Sequence, residues 1–168
     1  SGVVSAWTSK RDEVLASAGQ LLSALTEIHG TSDDGARKGP ALSAALLDGA
    51  LSAARNTWDR ECGGFGNAPK FFHTSSLKAC LRHWKKTGTS IGLEIVRSTL
   101  DRWRRGGIHD QLGGGFHRYS TDREWLVPHF EKMLYDNALV AEIFTETYQA
   151  TGEIDSARTA RDTLDFVL

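Results

Sequence analysis

The chain has 168 residues, with 20 Lys and Arg against 21 Asp and Glu, and its net charge of −1 offers no basic excess to serve nucleic acid or an anionic membrane as main partner. Its length fits one domain, 1–168, whose folding would bury roughly 70% of the extended-chain surface, enough for a real core. No apolar run approaches a membrane span and no signal segment opens the chain, so a soluble protein is expected. The two cysteines, Cys62 and Cys80, form no CxxC pair and read as reduced thiols, which fits a cytoplasmic compartment.

In chain order, Ser9 with Asp12 and Glu13 reads as a helix start, and Val14, Leu15, Ala18, Leu21, Leu22, Leu25 and Ile28 recur at helical spacing up to His29. The polar stretch Thr31 to Gly39 reads as a connector. Pro40 suits the first turn of a second helix that continues through Leu42, Leu46 and Leu51 to Ala54. CGGFGNAPKFF, Cys62 to Phe72, breaks the pattern. Ser75 or Ser76 caps a third helix that ends at Gly88, and Thr89 or Ser90 opens a fourth through Trp103. Phe130 to Thr151 reads as a fifth helix and Ile154 to Leu168 as a sixth, with no convincing strand anywhere. The chain stops inside an apolar helical pattern, so a fragment of something longer is expected, with unpaired helix faces that favour self-association.

The stretch from Gly106 to Asn137 carries the most chemistry. Five glycines within ten residues exclude a helix at its start, and three of the six histidines lie in it. It reads as a long ordered loop that feeds the fifth helix, and such loops are where function concentrates. His117 and Arg118, presented by a glycine-shaped turn, suit proton transfer and the holding of anionic or hydroxyl-rich groups. Trp125 offers a stacking surface for a sugar ring. Equally open is a satellite core of Phe116, Tyr119, Trp125 and Phe130, with the histidines satisfied by carbonyls.

Phe130, Met133, Leu134, Val140, Ala141, Phe144 and Tyr148 form one apolar stripe, with Tyr135, Leu139 and Ile143 opposite, so this helix is expected to be covered on both faces. Asn137 falls in the stripe and reads as a tether to backbone groups. His129, Lys132 and Asp136 share a face beside Glu131. They would line a polar cavity, or Glu131 would complement the helix N-terminus and Lys132 pair with Asp136.

His109, Asp110, His117, His129 and Glu131 include ligand types but no HExxH or other compact spacing, so neither metal nor cofactor is expected. Gly88 to Gly92 satisfies GxSxG without the strand that a nucleophile elbow needs, and Ser90 reads as a helix cap. Gly63 to Gly66 lacks the spacing of a dinucleotide loop.

Together GGFGNAPKF (Gly63 to Phe71), GGIHDQLGGGFHRYS (Gly106 to Ser120) and WLVPHFEKMLYDNA (Trp125 to Ala138) carry a resemblance. The chain resembles the thioredoxin-domain-containing proteins related to spermatogenesis-associated proteins, whose helical part is similar to six-hairpin glycosidases and N-acylglucosamine 2-epimerases. His109 stands where that family often has Tyr, and Phe72 where Pro is common. The resemblance implies an all-α fold in which the hairpins form about half of an (α/α)6 toroid, with the thioredoxin-like domain outside this chain. It also implies a carbohydrate-active, epimerase- or hydrolase-like role, or a non-catalytic scaffold or client-binding module. In either case the remainder of the chain would be a partner. In related toroids His, Arg, Glu and aromatic side chains line a sugar cleft. That places His117, His129 and Glu131 as acid/base candidates and Arg118, Trp125, Lys70 and Asp110 as substrate-binding candidates for a sugar-like small molecule.

Overall fold

The computed structural model describes residues 2–29 and 43–168. The chain divides into two compact units, Ser1–Ala41 and Leu42–Leu168. In the first, α1 (Gly2–Ser9) is followed by α2 (Arg11–His29). Ser9 therefore ends a helix rather than opening one. The amide of Lys10 bonds to Ala6 O and that of Val14 to Lys10 O, carrying hydrogen bonding across the junction. The Arg11 guanidinium lies over the Trp7 ring at 4.5 Å. The expected connector at 31–39 and the role of Pro40 lie outside the described residues.

The second unit holds α3 (Ala44–Thr57), α4 (Thr74–Thr87), α5 (Ser90–Arg105), α6 (Leu134–Thr151) and α7 (Ile154–Val167). Helix α4 buries Leu77, Cys80 and Leu81, and it ends where Gly88 takes φ 73°, a left-handed turn open to glycine, donating its N–H to Trp84 O. Helix α5 buries Ile95, Val96, Leu100 and Trp103 on one stripe. Its Gly92 lets the two backbones touch, since a Cβ there would sit 2.5 Å from Cys80 O. Helices α4 and α5 form one hairpin, and α6 and α7, joined through Gly152, form a second. Helix α4 also packs on α3 and α6, which makes it the centre of the unit.

Two corrections fall on α6. It begins at Leu134, not at Phe130, because the residues before it are extended and hydrogen-bonded to another segment. Covering on both faces holds only at Ile143: Leu139, Tyr135, Leu134 and Phe130 are exposed, whereas Val140, Ala141, Ile143 and Phe144 are buried.

The long connections 58–73 and 106–133 meet in an element that helical periodicity cannot announce. Strand β1 (Lys70–Phe71) pairs antiparallel with β2 (Tyr119–Ser120), with Lys70 opposite Ser120 and Phe71 opposite Tyr119. The chain then doubles back: Thr121 N donates to Val127 O at 2.9 Å, His129 N to Tyr119 O at 2.9 Å and Arg118 N to Glu131 O at 2.8 Å. Beneath this hairpin the rings of Phe72, Trp103, Phe116 and Trp125 pack against one another and extend the helical core.

Candidate functional site

The hairpin 117–131 holds five of the expected site residues, four of them with side chains at least partly exposed and Trp125 buried. The Arg118 guanidinium donates to Glu131 Oε1 at 2.7 Å, and the two residues are also joined through their backbones. That bond raises the Arg118 pKa further, so the cation is permanent. Both side chains remain partly exposed. His117 is half-buried with its ring edge-on to Phe130 at 5.3 Å, and its Nδ1 is buried with no partner among the described residues. Burial, helped by the nearby Lys132 charge, pushes its pKa below the usual histidine value. The ring is accordingly neutral at pH 7 and able to accept a proton. His129 is exposed and stacks on Tyr119 at 4.7 Å, which in turn stacks on Phe71 at 4.7 Å. This three-ring stack follows from the strand register, which sets residues 71, 119 and 129 side by side on one face.

Two of the candidates are internal. Trp125 is fully buried, so it offers no open stacking face; it is held at φ 67° with Nε1 donating to Gly63 O at 3.2 Å. Its ring fills the space over Gly64, where a Cβ would lie 2.5 Å away. Lys70 is also fully buried, with Nζ donating to Asp59 Oδ2 at 2.6 Å and to Gly63 O at 2.8 Å. Asp59 further accepts from Arg123 Nε at 2.6 Å and Nη2 at 2.8 Å and from the amides of Glu61 and Cys62. Burial acts to raise its pKa, but these donors, Arg123 and Lys70 foremost, hold it far below the usual carboxylate range.

Asp110 is bound into its own loop, accepting from the amides of Leu112 and Gly113 and, at 2.7 Å, from Lys132 Nζ. The Gly113 amide and Lys132 keep it well below the usual carboxylate value. The expected Lys132–Asp136 pair does not form, because Lys132 lies before the helix rather than one turn into it. Glu131, equally outside the helix, serves Arg118 instead of the helix terminus.

Asp136 is the residue sequence reasoning undervalued. Its Oδ2 is buried without a partner among the described residues. Burial raises its pKa, with Arg118 opposing and Glu131 adding to the rise, so it is the one carboxylate here shifted toward its protonated form. Its spacing from His129 and Lys132 marked it as a cavity-lining group or an ion-pair partner, and the burial of its unpartnered oxygen depends on packing that the spacing does not reveal. Lys70 carried its own signal, as a lone charge between a proline and two phenylalanines. Among the described residues no set of three or more His, Cys, Asp or Glu side chains could hold a metal ion, and no helix is long and apolar enough to cross a membrane.

No family model matches the chain. Mouse spermatogenesis-associated protein 20 is 37% identical over 137 residues, covering 79% of this chain and 17% of its own length. The human protein of the same name is 36% identical over the same span and share. The chain is related to the spermatogenesis-associated protein 20 family. It spans about a sixth of the length of these relatives. Among solved structures, a sugar epimerase from a ruminal bacterium matches with a TM-score of 0.63 at 16% identity, over 73% of this chain and 36% of the epimerase chain. That likeness concerns the fold: the helical hairpins are those of part of an (α/α)6 toroid.

Proposed function

We propose that this chain supplies one wall of a sugar-binding cleft in an epimerase- or hydrolase-like helical toroid, with the hairpin 117–131 as its chemical centre. The observation that carries this reading is that one ordered hairpin bears both an unpartnered His117 imidazole, whose pKa burial lowers, and the partly exposed Arg118–Glu131 pair. In this reading His117 moves a proton, Arg118 orients an anionic or hydroxyl-rich group, and Glu131 and the exposed His129 are further acid/base groups. The stack of Phe71, Tyr119 and His129 takes over the contact first expected of Trp125. The epimerase fold supports the substrate class by analogy of architecture. Calorimetry with a panel of N-acyl sugars and uronides, on this chain and on the longest form of the protein, tests it. Binding weakened about tenfold or more by Arg118→Met or His117→Ala is the expected result; no binding, or variants indistinguishable from the parent, overturns it.

A second reading, a non-catalytic module that docks the remainder of its own chain or a client protein, is favoured by a different observation. Leu126, Val127, Phe130 and Leu134 are all exposed on or beside the same hairpin. Under this reading Leu126→Ser with Leu134→Ser abolishes concentration-dependent association in sedimentation, and no sugar of the panel binds.

A further inference from the structure

The two hairpins of the second unit lie side by side in a repeating way. Lys78 pairs with Glu142 and, one turn further along both helices, Arg82 pairs with Glu146 at 3.1 Å, so α4 and α6 run in the same direction. Helix α4 is flanked twice, by α3 and by α6, whereas α6 packs on α4 and on its own hairpin partner α7. Its other flank meets no described helix of this unit. That flank carries Leu134, Ala138, Ala141, Thr145 and Tyr148, whose alternating steps of four and three keep them on one seam, roughly 100° round the helix from Glu142 and Glu146. Ala141 is buried, but Leu134 is 68% exposed and Tyr148 39%. Thr145 spends its hydroxyl hydrogen on Ala141 O at 2.8 Å, so it brings no unmet donor to the middle of the seam.

Helix α7 is one-sided in the same sense. Its Asp155 meets Arg104 of α5 at 3.3 Å, and the loop at Gly114 and Gly115 closes on Asp162 and Phe166. Ala157 and Leu164 lie roughly half a turn away from those three residues, beyond the buried Thr159, Ala160 and Thr163, and Leu164 is 46% exposed. The likeness to the epimerase toroid takes in only 36% of that chain, so most of that ring of hairpins has no counterpart among the helices described here. We propose that the free flank of the α6–α7 hairpin is the docking face for a further helical hairpin of this protein's own chain. Its first helix lies parallel to α6 along the seam from Leu134 to Tyr148 and its second beside Leu164 of α7, as α6 and α7 lie against α4 and α5. Ala138 and Ala141 let the backbones approach closely between the larger Leu134 and Tyr148. A second copy of the chain is the rival occupant, and it would make a contact that depends on concentration.

The docking face rests on the fold and not on the sugar reading, and it shares only Leu134 with the hairpin surface described above, so the test leaves that residue alone. Hydroxyl-radical footprinting at equal dose, read by mass spectrometry, compares Tyr148 and Leu164 in this chain and in the longest form of the protein. Modification of both side chains is expected to fall about fivefold or more in the longest form, to the level of packed residues, and to be the same at low and high protein concentration. Ala138 is exposed, so Ala138→Arg should leave the Tm of this chain within about 1 °C. In the longest form the same substitution overfills a packed seam, and a loss of roughly 3 °C or more is expected. Equal modification in the two forms, protection that appears only at high concentration, or an equal effect of Ala138→Arg on both each overturns the proposal.

Discussion

Asn137 grips both backbone groups of Phe116. Its Oδ1 accepts the Phe116 N–H at 2.6 Å and its Nδ2 donates to Phe116 O at 3.0 Å, while Nδ2 also reaches Met133 O at 3.0 Å. One amide thus replaces a strand partner for the loop and ties it to the first turn of α6.

The first prediction follows from that grip. Asn137→Leu strands two backbone groups of Phe116 away from water, at about 1–3 kcal/mol each. A loss of about 3 kcal/mol by urea unfolding is expected. A loss below about 1 kcal/mol would show that the loop finds other partners.

Removing one member of the buried pair has a larger effect than its exposed counterparts would suggest. Lys70→Met leaves Asp59 to Arg123 and two amides, and a loss of about 3 kcal/mol is expected, at the low end for a broken buried pair. Lys10→Ala, which breaks an exposed pair with Glu13, is expected to change stability by less than about 0.5 kcal/mol. Acid should act through the same carboxylate. Folded Asp59 binds a proton less readily than the unfolded chain does, so its contribution is complete above the ordinary value of 3.8 and is lost as pH falls below it. Urea midpoints measured from pH 7 to pH 2.5 should be flat at first and drop below about pH 4. In Asp59→Asn that drop should shrink.

For His117, burial and the Lys132 charge act together to lower the pKa. Lys132→Met removes one of these and leaves Asp110 unneutralised, so the NMR titration midpoint of His117 should move upward from its value in the parent. A parent midpoint at or above the ordinary 6.5, or a downward move in the variant, would contradict the geometry.

Asp136 should behave in the opposite sense to Asp59. Its folded pKa is raised, so its ionisation costs stability at neutral pH, and the cost vanishes as pH falls and both states take up the proton. Asp136→Asn is therefore expected to raise Tm by roughly 1–2 °C at pH 7 and to have no effect near pH 3. An equal change at both pH values would point to packing rather than charge.

The sequence made the helices legible where a residue's role is local. Gly88 stops α4, the apolar spacing of α5 places Ile95, Val96, Leu100 and Trp103 inside, and Asn137 stands out as a polar residue in an apolar stripe. It concealed what depends on distant partners. The extended run before α6 looks helical by spacing, but its amides and carbonyls are engaged by residues 118–121. Trp125 looks available beside polar residues, yet Gly63 and Gly64, some sixty positions earlier, form its pocket. The site shows the same division. His117, Arg118, His129 and Glu131 stand close together in the sequence and in space, whereas the roles of Lys70, Asp110 and Asp136 are set by partners that no periodicity reveals.

Gly63 O receives both Lys70 Nζ and Trp125 Nε1. The Trp125 bond thus joins the second glycine-rich connection to an oxygen that Lys70 already holds within the first, and a change of length that displaced either residue 63 or residue 125 would break it along with the pocket over Gly64.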